Sequence, residues 1–473
     1  MKTSILYKNP LSLTGCTGDR LSSDGALERA AEYFCPDGER RRYFLQILAL
    51  PLTEAEDIGY RREILRDFRR NPKLEPSLRE WAEGFAELLH SHKNLRKETR
   101  REGEIDRDAL AAINNLRISQ AVCLKRCILF LRDAYGRLSE EYGSEGLNRL
   151  KEAFGRAALC PEAEETLKLC TEIENSDFRE TDLRIVINDE GGVGQCEILY
   201  NPRDQLTEER KRFSLFKKEP PRPTSRTFEV LPRELLYVAA KKSTESLEQF
   251  CTELFSRFEN LGKEISFYRT VLDYEAAMQD RGIALSDPEI GNATALTDLS
   301  DLLLLLSEGR KKVVPNNFTQ KKGTLVFGKN SGGKTVFLRS LMAAQLLAQG
   351  GLPIPGKGTV KLYQRMDSVF AEGERDLRTD RAGRFEQEVR QMASLLEEEP
   401  KNALFFFNEP FQTTDPGEGA EGLAGILRHL TALGTDWIAV THLKELQDLF
   451  SDDGADLLTA EEGYKILPQK GRI

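Results

Sequence analysis

Between Leu27 and Arg179 apolar residues return at steps of three and four. The segments "RRYFLQILALPL" and "IGYRREILRDFRR" set them among arginines and acids, and "SLREWAEGFAELLHSHKNLRKETRREG" carries the pattern into a basic cluster. That period predicts amphipathic helices, with the basic cluster as a solvated face. Over residues 183–198 the period falls to two: Leu183, Ile185 and Ile187, then the turn-forming "NDEGG", then Cys196 and Ile198. This is a hairpin pattern. After Pro232 the spacing lengthens again. Leu247, Cys251, Leu254, Phe258, Leu261, Ile265, Tyr268 and Leu272 alternate steps of four and three. Such a seam predicts one long helix with a partner along most of its length. A helix on the other side of the hairpin would supply that partner and make a two-helix arm with a small tip.

From about Lys311 short apolar runs ("GTLVFG", "NALFFFNE", "DWIAVTH") stand between helical stretches, as in a wound, largely parallel sheet. The first thirty residues, punctuated by Gly, Ser and Thr, read as a loosely structured lead-in. A chain of 473 residues exceeds what one core supports, so two or three domains are expected. The apolar run "DLLLLLS" at 301–307 is too short to span a bilayer, so it reads as a buried strand or helix turn and no membrane association is expected.

Composition adds two restrictions. A net charge of -9 gives no global attraction to nucleic acid, so any such contact needs a local patch. The segment "ERKRFSLFKKEPPRPTSRTF" offers one. It interleaves Arg210, Lys211, Arg212, Lys217 and Lys218 with Phe213, Phe216 and Phe228. It reads equally as a flexible surface loop or as a clamp on a phosphate backbone. Eight cysteines are scattered without CxxC pairs or zinc spacing. With no signal-like N-terminus, they predict reduced thiols and a cytoplasmic protein. Cys123 and Cys127 lie four apart on a helix face, but two ligands alone make no metal site.

The most specific chemistry lies in "GKNSGGKT". Gly328, Lys329, Asn330, Ser331, Gly332, Gly333, Lys334 and Thr335 match the phosphate-loop pattern GxxxxGK[ST], between the strand-like "TLVF" and the helix-like "VFLRSLMAAQLLAQ". Glycines let backbone amides face phosphates, and the helix start adds free N–H groups. Lys334 is placed to reach the β- and γ-phosphates of ATP, and Thr335 offers a hydroxyl to Mg²⁺. A second apolar run ends in Asn408-Glu409, where such ATPases usually carry Asp-Glu. Glu409 is the candidate base for the attacking water. Asn408 is a candidate partner of the metal that brings no charge. A third run ends in Thr441-His442, where His442 would sense the γ-phosphate.

These residues resemble the ATPase domain of the MutS family of DNA mismatch repair proteins over residues 311–467. The loop "GKNSGGKTV" is similar to that family's GPNMGGKS[ST]. "VVPNNF", "LAQGGLPIPG", "DSVFAEGERDL", "GRFEQEV" and "AVTHLKEL" resemble further family segments in the family's order. "IGYRREILRDFRRNPKL" and "SDPEI" are similar to the start and close of its core and lever region. The resemblance implies an α + α/β fold: a helical core and lever region with a small β insert, followed by a phosphate-loop α/β ATPase domain of the ABC/MutS type. It implies a lead-in over 1–30, the helical region over 31–310 with a clamp-like insert at 181–232, and the ATPase domain over 311–473. It places Asn317 beside the nucleotide base and the insert on DNA, and implies a homodimer through the ATPase heads.

The departures narrow what is carried over. No mismatch-reading domain precedes the levers, and there is no room for a connector domain. The serine that family members direct at the partner's ATP falls near Gly383. Family members generally continue past the last strand into a helix-turn-helix, whereas this sequence stops at Ile473, so dimerisation is expected to use other surfaces. The implied function is a short, divergent MutS-type protein in which ATP binding and hydrolysis drive head closure and DNA clamping. Two alternatives remain at this level: an ABC-type chromosome-maintenance ATPase, although the LSGG signature is absent, and a nucleotide-binding structural protein with little hydrolysis.

Overall fold

The computed structural model describes residues 3–8, 15–18, 20–99, 109–138, 141–175, 182–187, 193–200, 227–309, 313–329, 331–370, 388–393, 395, 402–411, 415–450 and 455–469, with backbone course alone for 182–187, 193–200 and 227–236. Packing divides the chain into two compact units. One comprises Met1–Ile5 with Asn71–Gly262, the other Leu6–Arg70 with Lys263–Ile473. The breaks expected at 30 and 310 therefore do not coincide with the breaks in packing.

The second unit is built on a seven-stranded sheet. Its strands are β1 (Cys16–Thr17), β7 (Gly323–Phe327), β9 (Arg365–Phe370), β10 (Ala403–Asn408), β11 (Asp436–Val440), β12 (Asp456–Ala460) and β13 (Ile466–Pro468), in the order β1-β9-β10-β11-β7-β12-β13. All neighbours are parallel except β12 and β13. Of the remaining strands, β2 (Asp182–Ile187) and β3 (Val193–Tyr200) form a hairpin. A four-stranded sheet contains β4 (Glu289–Gly291), β5 (Ala295–Leu299), β6 (Asn316–Thr319) and β8 (Lys357–Lys361). β7 and β11 are buried at every position, as unbroken apolar runs require when helices cover both faces.

On one face the helix Pro416–Ala432 packs Ala420, Leu423, Leu427 and Leu430 against Phe405, Phe407 and Trp437. Its start is fixed by Asp415, which accepts from the N–H groups of Gly417 and Glu418, and by proline at the first helical position. The helix Lys334–Gln349 is buried almost all round, which marks an interior helix. Its buried Gln349 is satisfied: Nε2 donates to the carbonyls of Leu52 and Tyr363, and Oε1 accepts from the Tyr363 N–H.

Two expectations are corrected here. The described part of the lead-in from Leu6 onward is built into this unit: Cys16 N–H donates to Gln364 O, Gly18 N–H to Met366 O, and Leu6, Leu21 and Leu27 are fully buried. Glycine and serine punctuation hid these three apolar anchors. Segment Ala55–Arg70, expected among the levers, also belongs to this unit. Arg61 is buried there, giving its guanidinium to Leu6 O and Gly350 O. The run at 301–307 is a helix, Leu302–Glu308, capped by Asp301 Oδ1 on Leu304 N–H.

The first unit is helical, comprising Leu74–Thr99, Ala109–Arg137, Glu145–Ala158, Pro161–Asn175 and Thr227–Phe258, with the antiparallel β2–β3 hairpin. Its core is aromatic. Trp81 stacks on Phe85 at 4.9 Å and meets Phe154 edge-on, while Phe85 contacts Phe255 and Phe154 contacts Phe258. The long seam is interrupted: Thr227–Phe258 and Leu261–Gln279 are separate helices. Phe255 and Val271 take buried places expected of Leu254 and Leu272. Thr227–Phe258 packs chiefly on Ala109–Arg137, a helix on the other side of the insert, and then on Leu74–Thr99. Among the described residues no helix is long and apolar enough to cross a membrane.

Candidate nucleotide site

Strand register decides where the chemistry collects. Asn408 at the end of β10 pairs with Val440 at the end of β11, and Val440 pairs with Val326 of β7. Three parallel strands therefore finish together, and the segments leaving them emerge at the same edge. That is where wound parallel sheets present their ligand crevice. After β7 comes the Gly328–Thr335 turn, after β10 Glu409, and after β11 Thr441-His442.

The turn is shaped by left-handed backbone. Gly328 has φ 147° and Gly333, capping the helix Lys334–Gln349, has φ 84°. A Cβ on Gly328 would lie 2.8 Å from that of Ala460, so glycine is needed for close approach as well as conformation. Ser331 adopts φ 68° between them. Lys334 is 5% exposed and donates to the carbonyls of Gly328 (2.9 Å) and Lys329 (3.1 Å). Its ammonium also lies 3.3 Å from Glu409 Oε1. The other carboxylate oxygen of Glu409 is 2.6 Å from His442 Nδ1. Glu409 thus stands between a buried cation and a half-exposed imidazole.

The backbone aims it there. Glu409 and Phe411 are left-handed, with φ 50° and 60°, conformations costly for side-chain-bearing residues. Glu409 N–H is held by Val440 O at 2.8 Å, and Phe411 N–H by the carboxylate of buried Glu388 at 2.8 Å. Thr335 Oγ1 donates to Asn408 Oδ1 at 2.9 Å.

These groups line a cavity of about 670 Å³. Ser331, Gly332, Gly333, Lys334, Thr335, Asn408 and Glu409 give it polar lining, and Leu299, Leu304, Val313, Val314 and Tyr464 add apolar surface. Asp301 is the cavity's other carboxylate; burial pushes its pKa up, and its oxygen is committed to the helix cap. Gly328 and Lys329 act through their carbonyls, and His442 joins through Glu409. Asn317 does not line the cavity. β6 alternates, so Asn317 faces outward and accepts from Asp298 N–H, while Asn316 lines the cavity and holds Tyr464 O and Ile466 N–H. Asn330, Gly383, Arg210, Lys211, Arg212, Lys217 and Lys218 lie outside the described residues.

Sequence reasoning missed Asn316, Tyr464 and Glu388. Tyr464 stands over Gly333 and is 57% exposed, on a turn whose "EEGYK" carries no motif.

Comparison with curated proteins adds an independent line. Endonuclease MutS2 of Shouchella clausii is 31% identical over 168 residues, covering 33% of this chain and 21% of that protein. Endonuclease MutS2 of Alkaliphilus oremlandii is 34% identical over the same length, and that of Gemmatimonas aurantiaca 32% over 183 residues. Over about a third of its length the chain is similar to these MutS2 proteins. It spans about a fifth of the length of the MutS2 proteins it matches. No protein-family model matches it.

Proposed function

We propose that this chain is an ATP-dependent DNA-binding protein of the MutS type, in which ATP binding and hydrolysis close two ATPase heads of a homodimer and change the grip on DNA. One observation carries the reading: Lys334, Thr335, Asn408 and Glu409 line one cavity at the ends of three parallel strands. The kinship with MutS2 proteins supports the same reading at a coarser level.

The residues fit a nucleoside triphosphate. Gly332 and Gly333 line the cavity without side chains, at the start of a 16-residue helix whose free N–H groups favour anions. Lys334 supplies the countercharge. The apolar lining, which includes Tyr464, suits the flat base. Thr335 and Asn408 would hold Mg²⁺, which supplies Lewis-acid polarisation of phosphate oxygens. Glu409 is the acceptor available to take a proton from an attacking water, and His442 fixes the direction of its carboxylate. Asn408 supports a second reading, slow hydrolysis with the protein held mainly in its ATP-bound form, because a neutral amide attracts the metal less than a carboxylate.

The basic and aromatic segment containing Arg210, Lys211, Arg212, Lys217 and Lys218 would contact DNA phosphates. Steady-state phosphate release with and without DNA, for the parent and for Glu409→Gln, tests the proposal. Turnover should fall by roughly 10²–10⁴ in the variant, while ATP still binds. Undiminished turnover removes Glu409 as the base. Binding to homoduplex, mismatched and branched DNA identifies the preferred structure, and no affinity for any of the three refutes the DNA role.

A further inference from the structure

The cysteine pair that makes no site by itself acquires partners in the fold. His92 from helix Leu74–Thr99 and Cys251 from helix Thr227–Phe258 converge on Cys123 of helix Ala109–Arg137. One ligand atom from each lies within 4.8 Å of the other two, and the three residues are 2%, 0% and 4% exposed respectively. We propose that His92, Cys123 and Cys251 form a buried site for a thiophilic d¹⁰ dication of the Zn²⁺ class.

The imidazole is held as a metal-binding histidine is held. Its ring stacks on Phe255 with centroids 5.0 Å apart and planes at 21°. Nε2 lies 3.1 Å from Thr252 Oγ1, and Nδ1 is buried with no hydrogen-bond partner among the described residues. In the tautomer whose Nε2–H donates to Thr252 Oγ1, Nδ1 has a lone pair to give. A buried polar atom without a partner is otherwise unfavourable.

Donor chemistry and charge select the ion. One imidazole and two thiolates suit a soft or borderline cation such as zinc. Two thiolates neutralise a dication, so the filled site places no net charge in the interior. Around tetrahedral zinc, with bonds of about 2.0–2.3 Å, ligand atoms stand roughly 3.5–3.8 Å apart. The present spacing, up to 4.8 Å, must close by about 1 Å on binding. Cys127, one turn from Cys123, and Cys170 of helix Pro161–Asn175 are fully buried and close enough to interact electrostatically with Cys251. Both stand outside the three-residue cluster, so the fourth position is open to water.

The test uses the full chain, purified under reductant, stripped with chelator and given ZnCl₂ or CoCl₂. One zinc per chain should survive gel filtration, and cobalt should produce a thiolate-to-metal charge-transfer band. Cys123→Ala and Cys251→Ala should each abolish both signals, whereas Cys160→Ala should change neither. Thr252→Val, which removes only the anchor of His92, should weaken zinc affinity roughly 10- to 100-fold. In the parent, zinc should protect Cys123 and Cys251 from alkylation, a readout that requires no variant to fold. Substoichiometric zinc in folded parent protein overturns the proposal, as does a cobalt band unchanged in either folded cysteine variant. A Cys123–Cys251 disulfide formed in air, with no zinc bound after reduction, also overturns it and assigns the pair to redox chemistry.

Discussion

Thr335 donates its hydroxyl proton to Asn408 Oδ1 across 2.9 Å, fastening the first turn of the helix Lys334–Gln349 to the tip of β10. An aspartate at 408 would accept the same bond and add a charge where Mg²⁺ is expected. Asn408→Asp should therefore lower the Mg²⁺ concentration for half-maximal ATPase activity and raise the rate, since carboxylates are the protein ligands this ion prefers. Mg²⁺ titrations and melting curves on the two proteins decide it. A less stable variant with unchanged metal dependence would show that Asn408 only closes a hydrogen-bond network.

Lys334 binds two carbonyls and faces Glu409, and both side chains are about nine-tenths buried or more. Lys334→Ala loses a charge-assisted contact to phosphate worth about 1.5–3 kcal/mol, which is roughly 10- to 150-fold in ATP affinity. It also leaves Glu409 without its cation, so the melting temperature should fall. Calorimetric titration with ATP checks the first effect. Unchanged affinity would take Lys334 out of the site.

Tyr464 is the exposed aromatic face of the cavity. If it stacks on the base, Tyr464→Ala should cost about 1–3 kcal/mol of ATP affinity, the range for base–aromatic stacking. Tyr464→Phe should cost little. Equal losses in both variants would point to the hydroxyl, and no loss in either would move the base elsewhere in the cavity.

That the glycine-rich turn at 328–335, Asn408-Glu409 and Thr441-His442 leave one edge of the sheet was legible, because each directly follows an apolar run and parallel strands of matched register end together. Asn316 and Asn317 were not separable by sequence. In a strand of four residues the inward face is set by pairing with β5, and a shift of one residue exchanges the two. Tyr464 gave no sign because the turn before β13 brings it over Gly333 from far along the chain. The broken seam at Glu259 and Asn260 was hidden because Phe258 and Leu261 keep the spacing across the interruption. The His92–Cys123–Cys251 cluster draws on three helices, and no spacing within one segment encodes it.

Asp301 gives a pH-dependent effect. Burial raises its folded pKa above the unfolded value, so the native state binds this proton more tightly. Its contribution to stability is then most favourable below the unfolded pKa, declines as pH rises through the interval between the two, and is at its worst above the folded pKa. Asp301→Asn keeps the cap without the charge, so it should remove this decline and be neutral or stabilising at pH 7. Asp301→Ala should cost about 1 kcal/mol through the lost cap. Chemical denaturation between pH 4 and 8 measures both. A steeper pH slope in the Asn variant would reverse the sign argued here.

Arg69 pairs with Glu275, and Phe68 packs on Tyr268 at 5.3 Å, so the chain leaves the second unit and rejoins it at nearly one place. Between departure and return it makes an excursion of roughly 190 residues, whose closure entropy grows only as the logarithm of its length. During synthesis β1 emerges long before β9, its neighbour in the sheet. The apolar anchors around Leu21 and Leu27 must therefore wait while the helical unit is made. Early folding of that unit would hold residues 70 and 263 together, turning a distant encounter into a local one. A lesion that slows helical folding should thus lower the yield of ATP-competent protein even when the nucleotide site is untouched.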